Sequence, residues 1–272
     1  MKWKVLLLAF VFAFSIFLGI WGVCYAHAQG KELVCAKLEI KVLDSTQLAF
    51  VTAQRVSRFL KENYPSLVGT KLLDINTAEL EAAIHSMSGV QDVQAYYGVD
   101  GVLRVDLQQR KPLFRIISQT GASCYVDCDG YTFPVDRYYT ARVPLVTGNI
   151  GLPDGEHLAP RDGVLDGLIP LRDSVVRCKE KNWAQLFELV RYLDSDKFWR
   201  AQFAQIYVDS WMRIELIPRV GGQLIVLGSV ENYQYKLNKL YSFYSALLTD
   251  ERLEQYTVID LQYSNQVVCQ RR

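Results

Sequence analysis

Three histidines, six cysteines and one short acidic run hold most of the chemistry open to this chain. His27, His85 and His157 stand far apart in sequence, and no H-E-x-x-H, G-x-S-x-G or Walker A run supplies a metal, nucleophile or phosphate site. Cys124 and Cys128 lie in CYVDC, which reads as a strand. Four strand steps separate their Cα atoms by about 13 Å, whereas a disulfide needs under about 7 Å, so the two are not expected to bridge. A zinc ion would need two more ligands, and no histidine is near. Small buried hydrophobes are the better reading of both. Asp127 and Asp129 form D-x-D-G, a fragment of an EF-hand loop, but Tyr138 stands where that loop needs its twelfth-position Glu, so a hairpin turn is expected instead. Glu215 and Glu231 have no evident carboxylate partner and read as solvated. The expectation is a protein that is not an enzyme, with no catalytic residue, no cofactor and no metal.

Composition narrows the class. Apolar residues make up 50% of 272 and charged residues 22%, so wholesale disorder is excluded. Thirty basic side chains against 29 acidic leave a net charge of +1, which argues against nucleic acid as a partner. Mean hydropathy is +0.04, and the excess sits at one end. No charge occurs between Lys4 and Lys31, and Val5 to Val23 is broken only by Ala, Ser and Gly. At about 1.5 Å per residue this run spans just under the ~30 Å core of a lipid bilayer. Trp3, Trp21 and Tyr25 would lie at the interfaces, and Lys2 and Lys4 put the N-terminus in the cytoplasm. Residues 1–4 are therefore read as a cytoplasmic tail and 5–25 as a single transmembrane signal anchor. A cleaved signal peptide is the competing reading, since Ala26-His27-Ala28 resembles a cleavage site; the apolar run is longer than the ~7–15 residues usual there. Either way residues 31–272 are exported. Five cysteines follow Cys24, so at least one is unpaired within the exported chain.

Two modules are expected beyond the anchor. In the first, 34–111, Ala36, Leu38, Ile40 and Val42 alternate with Lys37, Glu39 and Lys41, the pattern of a half-buried strand. Ala53, Val56, Phe59, Leu60 and Tyr64 recur at helical spacing up to Pro65, and Asn76-x-x-Glu79 opens a second helix that Gly89 closes. Two alternating runs, Val93 to Tyr97 and Leu103 to Leu107, flank the turn Gly98-Val99-Asp100-Gly101. The order β-α-α-β-β, placed directly after a single span, resembles a POTRA domain. The run Gly89-Val90-Gln91-Asp92-Val93-Gln94-Ala95, then Gly101-Val102-Leu103-Arg104-Val105 and Arg110-Lys111-Pro112, resembles the end of that domain in the FtsQ/DivIB family of bacterial division proteins.

The second module, 112–272, begins at Lys111-Pro112, a junction that disfavours helix. CYVDC-DG-YTFPV reads as a hairpin whose second arm carries Pro134, suited to an edge. Residues 149–180 are rich in Gly, Pro and Asp and read as an irregular surface stretch. A helix is expected around Trp183, Leu186, Phe187 and Val190, then a hairpin through Ile214 and Leu216, Gly221-Gly222, and Gln223 to Leu227. Tyr233, Leu237, Leu240, Tyr241, Tyr244 and Leu248 mark a long amphipathic helix, and its tyrosines read as core before recognition face. A last strand is expected over Tyr256 to Tyr263, with Asn265 to Cys269 continuing it after a bend. These segments, "YVDCDGYTFPV", "VPLVTG" and "YTVIDLQYSNQVV", resemble the β-domain of the same family.

The fold class expected is therefore α+β: an N-terminal transmembrane helix, a POTRA module, and a mixed domain on an antiparallel-rich sheet with a C-terminal edge strand. An edge strand leaves main-chain groups unpaired and can accept a partner strand. The last strand is the candidate, because nothing later in sequence covers it; the alternative is that this strand is interior and merely closes the sheet. The resemblance implies a bitopic inner-membrane scaffold at the division septum, C-terminus in the periplasm, that joins FtsB- and FtsL-like proteins to control septal peptidoglycan synthesis. It implies that the partner contact uses the terminal strand and the preceding helix. By position this falls on Val258, Ile259, Asp260, Leu261, Gln262, Tyr263, Ser264 and Asn265, with Leu261 and Tyr263 as anchors. Two alternatives stay open: a POTRA-containing envelope assembly or secretion chaperone, and an exported hydrolase with its nucleophile in 149–180.

Overall fold

The computed structural model describes Trp3, Phe12 and residues 14–22, 33–46, 48–150, 181–247 and 252–272, with backbone alone at 181, 182, 247 and 252. The chain divides into two compact units, one ending at Gln109 and the other comprising Met87–Gly89 and Arg110–Arg272. Val5 and Val23, the limits of the expected anchor, lie outside the described residues, as does the segment 151–180. Residues 14–22 are helical, and Phe14, Phe17, Ile20 and Trp21 are exposed. Among the described residues no helix is long and apolar enough to cross a membrane.

The first unit follows its sequence pattern. It runs β1 (Lys37–Val42), α1 (Ala53–Asn63), a 3-10 turn (Leu72–Asp74), α2 (Thr77–His85), β2 (Val90–Tyr97) and β3 (Val102–Gln109). Thr52 caps α1 by accepting the Arg55 N–H, and Asn76 caps α2 by accepting that of Glu79. The sheet order is β1-β3-β2, with β1 parallel and β2 antiparallel to the central strand. Leu103, Val105 and Leu107 of β3 are fully buried, as are Val56, Leu60, Leu80 and Ile84 of the helices. Each such side chain contributes about 1.5–3 kcal/mol by leaving water. One edge of this sheet is plugged: the Glu81 carboxylate, from α2, accepts the main-chain N–H of Ala95 in β2 at 2.7 Å. The fully buried Gln109 amide ends the unit, donating to Asp44 and the Leu48 carbonyl and accepting from the Val51 N–H.

The second unit is one wide sheet with helices. Its elements are β4 (Pro112–Ile117), β5 (Ser123–Asp127), β6 (Thr132–Pro134), β7 (Leu145–Gly148), α3 (Lys181–Ser195), α4 (Lys197–Gln202), β8 (Phe203–Val208), β9 (Ile214–Pro218), β10 (Leu224–Gly228), α5 (Tyr233–Leu247), a 3-10 turn (Arg252–Gln255), β11 (Tyr256–Asp260) and β12 (Val268–Arg271). The strands lie in the order β12-β11-β10-β9-β8-β7-β4-β5-β6. Five of the eight joints are antiparallel, so the sheet is mixed but antiparallel-rich. Its parallel joint β10·β11 is made possible by α5, which carries the chain back to the starting end of the sheet. Leu186, Leu189 and Val190 of α3 and Leu237, Leu240 and Tyr244 of α5 share one core with Ile206, Leu216, Ile225 and Ile259 of the sheet. At the end of β7 the backbone passes so close to β8 that a side chain at Gly148 (φ +112°) would collide with the Val208 carbonyl.

The hairpin at β5–β6 forms as the D-x-D-G pattern predicts. Asp127 Oδ1 accepts the N–H groups of Asp129 and Tyr131, and Gly130 has φ +87°. The strand α4–β8 segment was not anticipated from periodicity. Cys124 and Cys128 are not bridged, and both are free thiols. Cys124 is buried as expected, but Cys128 lies past the strand end in the turn and is exposed, which corrects its reading as a core residue.

The main correction concerns the last strand. Sequence pattern makes one edge strand of Tyr256 to Tyr263; the structure ends β11 at Asp260, turns the chain back, and adds β12 outside it. Val258, Ile259 and Asp260 are therefore flanked by β10 on one side and β12 on the other. The edge lies one strand farther out. The reversal has no Gly or Pro to announce it; it rests on Asn265 in the left-handed region (φ +58°), which Asn tolerates better than most residues.

Candidate functional site

The eight residues expected to meet a partner fall into two groups. Val258, Ile259 and Asp260 belong to the interior strand β11, and Ile259 and Leu261 are fully buried. Leu261 is further committed by its N–H, which donates to the Val226 carbonyl at 2.9 Å. Val258 and Asp260 are half-buried, and pairing on both flanks leaves β11 no open edge. Gln262, Tyr263, Ser264 and Asn265 are exposed in the turn between β11 and β12, and Tyr263 is the large apolar group among them.

What the turn delivers is β12. Among the described residues the strand has one neighbour in the sheet, and its other flank is uncovered. The direction of its main-chain groups follows from two bonds. The Arg272 N–H donates to the Gln255 carbonyl, and the Thr257 hydroxyl donates to the Gln270 carbonyl. Positions 270 and 272 thus turn inward to β11. Strand alternation then points the N–H and C=O of Cys269 and Arg271 outward. The register of β11 shifts between Tyr256 and Val258, a one-residue bulge at Thr257 that leaves the alternation of β12 itself intact. Val268, Gln270 and Arg271 are exposed, while Val267 and Cys269 pack against the core. A groove of about 500 Å³ lies between α5 and the turn that leads into β12, with Tyr235, Lys239 and Phe243 on the helix side and Asn265, Gln266 and Val267 on the other.

The turn is tied to α5 by two side chains. The Lys239 ammonium donates to the carbonyls of Leu261 (3.0 Å), Tyr263 (2.5 Å) and Gln266 (3.2 Å). The Tyr235 hydroxyl donates to Asn265 Oδ1 at 2.6 Å and accepts the Asn265 N–H. Lys239 Nζ also lies 5.4 Å from the centre of the Tyr235 ring. Partial burial lowers the Lys239 pKa and the Asp260 carboxylate opposes the shift. One turn earlier on the helix, Lys236 donates to the Ser229 carbonyl at 2.7 Å; burial and the charge of Lys239 lower its pKa, against Glu231 and Asp260. Sequence pattern singles out none of Tyr235, Lys239 and Arg271, and it gives Cys269 only as the end of the continued last strand. The i, i+4 spacing of Tyr235 and Lys239 on one helix face was the available signal.

Among the described residues no group of three or more His, Cys, Asp or Glu is placed to hold a metal ion. Burial pushes the Cys124 thiol up to about 12, away from thiolate chemistry, and raises Cys128 and Cys269 as well. His85 ends α2 on the surface, and His27 and His157 lie outside the described residues.

Two family models match the chain. The one described as FtsQ/DivIB, C-terminal related, covers residues 111–270, more than half of the 272. The one described as a POTRA-like domain covers residues 33–108. No curated protein matches the chain.

Proposed function

Since the chain belongs to the FtsQ/DivIB family, which points to a non-catalytic role in cell division, we propose that it is a scaffold that captures another division protein by strand addition at β12. The observation that carries this reading is the flank of β12 that no described strand covers, with the outward main-chain groups of Cys269 and Arg271; the α5 groove opens at the turn that leads into the strand. An incoming strand pairs at those two positions and lays alternate side chains into the groove. Each added main-chain bond contributes only about 0.5–1.5 kcal/mol net, so groove contacts supply the specificity. The partner class is the FtsB- and FtsL-like proteins of the septum. In this reading the Val5 to Val23 run anchors the chain in the inner membrane, with the two units in the periplasm, so that partner capture bears on septal peptidoglycan synthesis.

The test uses Cys269→Pro in the full-length chain. Proline is tolerated where an edge N–H faces solvent, but it removes a donor and places a ring on the rim. Capture of an FtsB-like protein is expected to fall at least about tenfold, while the melting temperature moves by less than about 4 °C. Tyr263→Ala, on the adjacent exposed turn, is expected to weaken capture less. Unchanged capture by Cys269→Pro removes strand addition as the mechanism.

A further inference from the structure

We propose that Lys239 is the positioning residue of the capture edge: its ammonium gathers the 261–266 turn and so fixes where β12 lies and which of its main-chain groups face outward. The inference rests on the reading of β12 as the binding edge and deepens it by naming what holds that edge ready.

The argument begins with how little β12 has of its own. It is four residues long, and its pairing with β11 is interrupted by the bulge at Thr257. Val268, Gln270 and Arg271 are exposed, and Cys269, half-buried, is the one residue of the strand that packs against the core, so core packing holds the strand at a single point. The connection from Leu261 to Val267 is far longer than the two-residue loops that set hairpin register by themselves. A one-residue slip would exchange inward and outward groups along β12 and abolish the pattern a partner strand reads. Something outside the hairpin has to choose the register.

Lys239 meets that need. An ammonium has three N–H donors and no acceptor, and all three are taken by carbonyls of this one turn. Charge-assisted bonds of this kind are about twice as strong as neutral ones. The three acceptors are spread from Leu261, at the end of β11, to Gln266, two residues before β12 begins, so the cation spans the whole reversal. Tyr235 adds a second tie at Asn265, the residue with the left-handed backbone. Both side chains come from α5, whose Leu237 and Leu240 are fully buried in the core, so the clamp is mounted on a rigid element.

Hydrogen exchange on the full-length chain in detergent, without any partner, reads the clamp directly. In Lys239→Met, the bonded amides of Asn265, Gln270 and Arg272 are expected to lose at least about tenfold of their protection, while β8, β9 and β10 keep theirs. Lys239→Arg, which keeps a donor-rich cation, is expected to restore most of that protection. Capture of an FtsB-like protein should then fall in Lys239→Met by about the factor by which protection falls, and recover in Lys239→Arg. A general loss of protection across the sheet would make Lys239 an ordinary stability residue and overturn the proposal, and so would unchanged protection at Asn265, Gln270 and Arg272. If protection falls locally but capture does not, the clamp stands and it is the strand-addition reading that fails.

Discussion

The nine-stranded sheet ends in a hairpin at either side, and the two hairpins are finished in opposite ways. At β5–β6 the outermost strand is three residues long, stops at Pro134, and buries Thr132 and Phe133. Its turn is organised from inside by Asp127, which is paired with Arg110 at 2.7 Å; both side chains are nearly inaccessible. Arg110 also lies over the Tyr131 ring at 5.1 Å, and its Nε has no partner. At β11–β12 the outermost strand is exposed, no proline interrupts it, and its turn is organised from a surface helix by Lys239. Pro134 and burial blunt the first edge against stray pairing. The second is left able to pair. The difference teaches that openness is a property of one edge and not of the sheet.

Three substitutions probe that contrast, beginning with the one expected to cost most. Arg110→Met leaves the Asp127 carboxylate buried without its cation and is expected to destabilise by about 3–5 kcal/mol at neutral pH, read by urea unfolding. Burial already pushes the Asp127 pKa up, against the pull of the Tyr131 N–H and Arg110. A raised carboxyl pKa means the folded state holds the proton more tightly, so its ionised form costs stability at neutral pH and that cost is relieved as pH falls. Without Arg110 the pKa rises further, so the deficit of the variant should shrink between pH 7 and pH 5; a deficit that grows would contradict the buried-pair account. Tyr125→Phe is next. Its hydroxyl accepts the buried Ala141 N–H at 3.1 Å, and loss of that acceptor is expected to cost about 1–3 kcal/mol by the same assay. Arg271→Ala at the open edge should cost least. Its guanidinium sits 6.0 Å over Tyr256 in an exposed setting, worth under about 1 kcal/mol. A loss at Arg271 as large as that at Arg110 would erase the distinction between the two edges.

The first unit was legible almost throughout because its signals are local. Alternation in Lys37–Val42, the cap at Asn76, and the turn at Gly98 to Gly101 each act within a few residues, and the structure realises each. The Asp127 turn was legible for the same reason. In α5 the tyrosines have two roles: Tyr244 is buried, but Tyr235 and Tyr241 are exposed, because at about 100° per residue a step of one from Leu240 or two from Leu237 leaves the buried face. The reversal before β12 was not legible. Its bonds come from Lys239, some two dozen residues upstream, and pairing by a distant ammonium leaves no trace in hydrophobic period. The pattern therefore puts the sheet edge at Tyr256 to Tyr263, and the structure moves that edge one strand outward.

The Glu81 carboxylate, seated on the Ala95 amide, has a bearing on how copies of this protein behave when crowded. A lone uncovered ladder in the first unit would invite neighbouring molecules to stitch themselves side by side into ribbons. A single acid, reaching over from the helix, acts as a full stop on that side, and any molecule that tried to continue the row would first have to evict it.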